Sequence, residues 1–195
     1  MSIAEKIKLS EQEYLKGEER AEFKHEYLNG EVWAMVGASD NHVTIAMNLA
    51  FLLKQKLKDT PCRSYISDMK VKVKQASAFF YPDVFVTCEQ KDQQNTHYKE
   101  HPVFITEVLS PSTEAYDRGD KFKHYRQLTS LQEYWLIDAQ KMSIDCFTRQ
   151  SDDAWVLHNY SLLQKKLIIK PLDIELSIDD IYLDTDTSTL HTSLK

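Results

Sequence analysis

Two apolar runs constrain this chain more than anything else in it. They are Phe79-Phe80-Tyr81-Pro82-Asp83-Val84-Phe85-Val86-Thr87-Cys88 and Val103-Phe104-Ile105-Thr106-Glu107-Val108-Leu109. Both are too short to cross a membrane and too continuous for strands with one wet face. Runs of this kind are strands buried on both sides, so layers must cover them above and below, which points to an α/β fold. Each run also carries one acid and no base: Asp83 in the first, Glu107 in the second. An unpaired carboxylate in a core is costly, so such an acid is given a cation or a metal. The plainer alternative is that Asp83 ends a strand and Glu107 pairs with a structural Lys or Arg. Pro82 donates no ladder hydrogen bond, so Asp83 is expected where pairing is interrupted or at a sheet edge.

Around these runs the other elements follow from local signals. Residues 10–19 read as a helix, with Ser10 and Glu13 at capping-box spacing. A hairpin, FKHEYL then EVWAMV, turns at Asn29-Gly30. Residues 41–58 place Ile45, Leu49, Leu52, Leu53 and Leu57 at helical spacing, with Ser39 or Asp40 as cap. Residues 63–74 alternate as one strand with a wet face. A polar loop, 89–101, separates the two buried runs. A helix is expected at 117–128, then a buried strand at 134–138. Strands at 142–148, 154–160 and 166–169 complete the sheet. Residues 1–183 form one domain, and the polar residues 184–195 form a disordered tail.

The chain has 195 residues, which suits one domain with a substantial core. No apolar run is long enough to span a membrane, and the N-terminus has no apolar signal segment. Cys62, Cys88 and Cys146 are odd in number and far apart; they suggest no disulfide framework and a reducing, cytoplasmic setting. The net charge of −6 does not exclude a polyanionic partner, because residues 173–195 carry six acids against Lys195. Between 54 and 74 lie seven bases and two acids. Lys70, Lys72 and Lys74 are candidate contacts to a nucleic-acid backbone; solvated lysine faces are the equal alternative.

Within 117–128, helical geometry at 100° per residue puts Lys121, Tyr125 and Leu128 on one side with Asp117 a turn behind, while Lys123 looks outward. Lys121 is therefore the lysine that can approach the two carboxylates; a snorkelling stem at the core edge is the alternative. The four glycines, at 17, 30, 37 and 119, are too scattered for a P-loop, a dinucleotide turn or a nucleophile elbow. No His-Glu-x-x-His or zinc-finger spacing occurs. Hydrolysis by a hard cation on carboxylates is the chemistry left standing.

The ordered set Tyr81-Pro82-Asp83, Glu107-Val108-Leu109-Ser110-Pro111-Ser112-Thr113, Asp117 to Tyr125 and Glu133 to Asp138 closely resembles the Uma-two family. So does the stretch from Glu26 to Glu31 and on to His42; the likeness covers about residues 20–150. Members of that family are restriction-type endonucleases of the PD-(D/E)XK superfamily. The resemblance implies a restriction-endonuclease-like αβββαβ core, here with an N-terminal helix and hairpin and extra C-terminal strands. It implies a metal-dependent phosphodiesterase acting on DNA, with Mg²⁺ or Mn²⁺ on Asp83, Glu107 and the carbonyl of Val108. Where the superfamily carries a lysine two residues after the second acid, this chain has Leu109, and Lys121 takes its place as the catalytic lysine. Glu26 and His42 match family positions beside the site, and Asp117 and Tyr125 lie next to Lys121. The superfamily also suggests a homodimer. A nuclease fold that binds nucleic acid without cutting it, and a structural domain with ion-paired acids, are the competing readings.

Overall fold

The computed structural model describes residues 8–161 and 163–189. Glu11–Glu18 form a helix (α1) closed by the expected capping box: the Ser10 hydroxyl accepts the Glu13 amide at 3.3 Å, and the Glu13 carboxylate accepts the Ser10 amide at 2.8 Å. The hairpin is His25–Leu28 (β1) and Glu31–Ala34 (β2). Asn29 and Gly30 both take positive φ, 48° and 91°, as a tight primed turn requires. Asp40–Lys56 (α2) starts at Ser39, whose hydroxyl accepts the His42 amide, and buries Ile45, Leu49 and Leu53.

The next strands are Arg63–Ile66 (β3), Lys70–Val73 (β4), Ala78–Phe80 (β5) and Val84–Thr87 (β6). A short helix, Gln90–Gln94 (α3), and Tyr98–Lys99 (β7) interrupt the expected loop before Pro102–Leu109 (β8). A continuous helical stretch follows: Glu114–Tyr116 (α4), a π-helical turn at Asp117–Lys121, and Phe122–Tyr125 (α5). Glu133–Asp138 (β9), Ser143–Arg149 (β10) and Trp155–Ser161 (β11) come next. Lys166–Ile169 (β12), Ile174–Ser177 (β13), Ile178–Ile181 (α6) and Asp186–Thr189 (α7) end the described chain.

These strands form a six-stranded sheet in the order β11-β10-β9-β8-β6-β3, a five-stranded sheet β2-β1-β5-β4-β7, and a separate pair β12-β13. Only β8 and β9 run parallel in the large sheet, joined by the helical stretch 114–125. That sheet is buried on both faces. On one, Val84, Val86, Phe104, Val108 and Trp135 pack with Ile45, Leu49 and Leu53 of α2. On the other, Phe85, Ile105, Leu109 and Tyr134 pack with Phe122 and Tyr125 and with Val71 and Phe80 of the smaller sheet.

Several expectations need correction. Residues 63–74 are two strands, not one: Ser67–Met69 turn the chain out of the large sheet (β3) into the small one (β4). Residues 79–88 divide at Pro82-Asp83 in the same way, β5 in the small sheet and β6 in the large. Proline has no N–H for the ladder, so the pairing breaks there and the chain changes partners. β12 does not complete the large sheet but pairs with β13. Cys62 and Cys88 form a disulfide. They sit just beyond the Arg63–Thr87 pairing of adjacent antiparallel strands, a proximity that spacing along the chain cannot reveal, and the bond removes the cysteine argument for a reducing compartment. Within the stretch expected as a tail from residue 184, Asp186–Thr189 (α7) are helical, and Thr185 and Thr187 are buried. Residues 190–195 lie outside the described residues. Among those described, no helix is long and apolar enough to cross a membrane.

Candidate active site

Asp83 lies at the joint between the sheets, between the end of β5 and the start of β6. Its Oδ2 accepts the Val108 amide at 2.7 Å, and its Oδ1 faces His42 Nε2 at 2.9 Å. His42 Nδ1 is buried with no partner. The α2 helix supplies His42 from its first turn, beside the buried face that anchors it to the large sheet.

Glu107 stands on the same face of β8 as Ile105 and Leu109, as the two-residue period of a strand requires. It is almost wholly buried, and that face looks at the helical stretch 114–125. Lys121 Nζ lies 3.0 Å from Glu107, 2.9 Å from Glu26 and 3.7 Å from Asp117. Tyr125 Oη donates to Glu107 Oε1 at 3.0 Å. Glu26, from β1 in the small sheet, also accepts the Tyr81 amide at 3.1 Å. The π turn, a form common at functional sites, buries both Asp117 and Lys121, and Tyr134 Oη donates to the carbonyl of Asp117 at 3.0 Å.

The electrostatics are unbalanced. Asp83, Glu26, Glu107 and Asp117 line one cavity of about 1410 Å³ with Lys121 and His42. Burial pushes the Glu107 carboxyl well above its ordinary range; Lys121 opposes the shift, while Asp117, Asp83 and Glu26 add to it. Asp117 is raised for the same reasons, burial first. Burial alone would lower Lys121, but Glu107, Glu26 and Asp117 outweigh it and raise it well above its ordinary value, so it is an ammonium ion at neutral pH. Tyr116, another lining residue, is pushed up to about 12 by burial and by Glu26.

This donor set is all hard oxygen, with more carboxylates than cations, and it fits Mg²⁺ or Mn²⁺ held by one or two carboxylates. Asp83 and Glu107 with the Val108 carbonyl could hold such an ion. Among the described residues no three acid, imidazole or thiol side chains converge at ligand distance. Two of the carboxylates, Glu26 and Glu107, close on Lys121, and Asp83 closes on His42 and the Val108 amide.

The structure thus brings together Asp83, Glu107, Lys121, Glu26, His42, Asp117 and Tyr125. Leu109 is core, packed with Ile105 and Tyr134, and the ammonium that reaches Glu107 is that of Lys121. Lys70, Lys72 and Lys74 are not brought there. Lys72 pairs with Glu11 at 2.8 Å, Lys70 donates to Tyr81 Oη at 3.1 Å, and of the three only Lys74 is exposed. Sequence reasoning missed Tyr81 and Tyr116. Tyr81 stood in the Tyr-Pro-Asp run, but its amide partner lies in another strand; Tyr116 carried no local signal.

The Uma2 (Uma-two) family model, described as "Putative restriction endonuclease", matches residues 11–180. Two uncharacterized proteins of Synechocystis sp. are similar in sequence. One, slr1290, is 39% identical over 175 residues, covering 90% of this chain and 92% of the relative. The other, sll1609, is 36% identical over 159 residues, covering 80% and 90%. A crystal structure of a "putative nuclease belonging to DUF820" from Anabaena variabilis matches with a TM-score of 0.74 at 16% identity, covering 89% of this chain and 97% of that one. That last likeness is one of fold. The chain therefore belongs to the Uma2 family and has the restriction-endonuclease-like α/β fold expected from its sequence.

Proposed function

We propose that this protein is a metal-dependent endonuclease that hydrolyses phosphodiester bonds in DNA. The observation that carries the reading is the under-neutralised acid cluster: Asp83, Glu26, Glu107 and Asp117 on one cavity, with Lys121 buried among the last three. Asp83, Glu107 and the Val108 carbonyl would hold Mg²⁺ or Mn²⁺, which would supply Lewis acidity toward the phosphoryl oxygens and a more acidic water. The chain's own residues do the rest. Lys121, held protonated by Glu107, Glu26 and Asp117, offers positive charge to a pentavalent phosphorane and orients a water through its N–H bonds. Its raised pKa argues against a role as general base. Tyr125 fixes the Glu107 carboxylate, and His42 with the Val108 amide fixes that of Asp83, which pre-organises both acids.

One observation favours a second reading, a nuclease fold that binds nucleic acid without cutting it: Lys121 holds Glu107 and Glu26 closed, and no three-ligand group is formed among the described residues. Calorimetric titration with Mg²⁺ and Mn²⁺ of wild type and Asp83→Asn, with plasmid nicking on the same samples, separates the two. Ion binding and nicking by wild type alone is the expected result. Ion binding without nicking gives precedence to the binding module, and no ion binding by wild type refutes the metal site.

A further inference from the structure

The outward face of α2 is a wall of the acid-lined cavity, and it is apolar. Val43, Met47 and Phe51 follow one another at four-residue spacing, so they stand on one side of the helix. All three are exposed, Phe51 at 61%, and line the cavity that holds Asp83, Glu107 and Lys121. The other walls are alike. Trp33 of β2 is 44% exposed and is the cross-strand partner of Glu26, one of the acids on Lys121. Directly opposed residues of a strand pair share a face of the sheet, so the indole stands beside the acid cluster. Ile66 of β3, also exposed, opposes Val84, the residue after Asp83. Phe23, just before β1, is 68% exposed on the same cavity. Apolar surface left bare on this scale marks a binding site.

Positive charge is scarce on these walls. Besides Lys121, Lys24 and Lys54 are the lysines and arginines of the lining among the described residues, and Lys24 is paired with Asp68. A groove that follows a duplex neutralises a run of phosphates with lysine and arginine, and these walls do not offer that. The occupant must instead bring flat apolar groups to the walls and a hard anion to the buried acids that the proposed ion would occupy. An unpaired nucleic-acid strand has both in every nucleotide, a phosphate and a base whose π face is free to stack on an aromatic side chain. A paired base is already stacked within its duplex. An apolar peptide would fill the walls but bring no ligand to the acids. We infer that the cavity takes single-stranded DNA, with bases stacked on Trp33, Phe51 and Phe23 and the backbone crossing Asp83 and Glu107. This rests on the nucleic-acid substrate of the endonuclease reading and narrows it to unpaired strands.

Binding and cutting are measured separately on the full chain. Fluorescence anisotropy in EDTA compares a labelled oligothymidylate of about 12 nucleotides, within the span of single-strand sites, with a duplex of equal length. The single strand is expected to bind at least ~10-fold more tightly. Trp33→Ala and Phe51→Ala should each weaken it about 5- to 150-fold, the cost of one stacked base. Their melting temperatures should stay near wild type, because both side chains are exposed. With Lys24 and Lys54 as the backbone contacts, the slope of log K against log salt should be about −1.4. Equal affinity for the duplex, either variant binding like wild type, or a slope steeper than about −3 each overturns the inference. An amphipathic peptide that binds more tightly than the strand, and loses affinity in the same variants, assigns the walls to a protein partner and overturns it too. Cleavage is then followed with Mn²⁺ on a single-stranded circle and on a relaxed duplex circle. Binding of the single strand without cutting of either circle refutes the endonuclease reading and leaves the occupant standing. Cutting of both circles at one rate, with equal binding, refutes the occupant and leaves the endonuclease.

Discussion

Among the described residues charge is buried around Asp92, around Glu107 and at Glu133, and the first two groups are built on different terms. Around Asp92, every charge is answered. Its carboxylate accepts the Thr87 hydroxyl at 2.7 Å and the amides of Glu100 and His101 at 2.8 and 3.0 Å. Lys99, equally buried, donates to the carbonyls of Asp92 and Asn95. Around Glu107 the acids outnumber the bases, the carboxyls of Glu107 and Asp117 are raised, and the group opens on a cavity. Buried charge alone therefore does not distinguish a site from a structural knot; an unmet charge beside open space does.

The largest effect expected on this contrast is that of Lys121→Met. It leaves Glu107, Glu26 and Asp117 without their cation and should cost about 3–5 kcal/mol at pH 7 in a denaturant titration. An acid whose folded pKa is raised loses stability as pH climbs above its unfolded value of 4.5. The deficit should accordingly shrink on acidification toward that value. Lys99→Met removes donors to two buried carbonyls and should cost about 1–3 kcal/mol. No acid depends on this ammonium, so the same titration should show no comparable recovery at low pH; an equal recovery would erase the distinction. Glu107→Gln should be more stable than wild type, increasingly so as pH rises above 4.5, because it relieves a carboxyl that burial already disfavours. The same variant should lose Mg²⁺ binding by calorimetry. The smallest effect is expected for Lys72→Ala, which breaks a partly exposed pair with Glu11 and should cost under about 1 kcal/mol, leaving plasmid nicking unchanged. A large loss of nicking would return the β4 lysines to the substrate surface.

The acids of the site were legible because they contradicted their surroundings. Asp83 and Glu107 are lone charges in apolar runs, and Lys121 is the helical lysine on the apolar side; these local oddities need no knowledge of the fold. Glu26 gave no such signal, since its hairpin is mixed in polarity, and only the family resemblance pointed to it. The division of residues 63–74 and 79–88 between two sheets was hidden for a different reason. Strand periodicity reports which way side chains point, not which neighbour accepts the backbone's hydrogen bonds. The Pro82 break was expected, but its result, a change of sheet, depends on partners far along the chain. The Cys62–Cys88 bond was hidden in the same way, because it follows from the pairing of β3 with β6.

Glu26 belongs to the small sheet and Glu107 to the large one, and the ammonium of Lys121 touches both. That nitrogen is a rivet through two plates. Sliding one sheet against the other draws the acids apart and bares the ammonium between them, so the site cannot be loosened without parting the architecture that carries it. The apolar core that the two sheets share carries most of their cohesion; the Lys121 nitrogen adds a charged tie between them at the cavity.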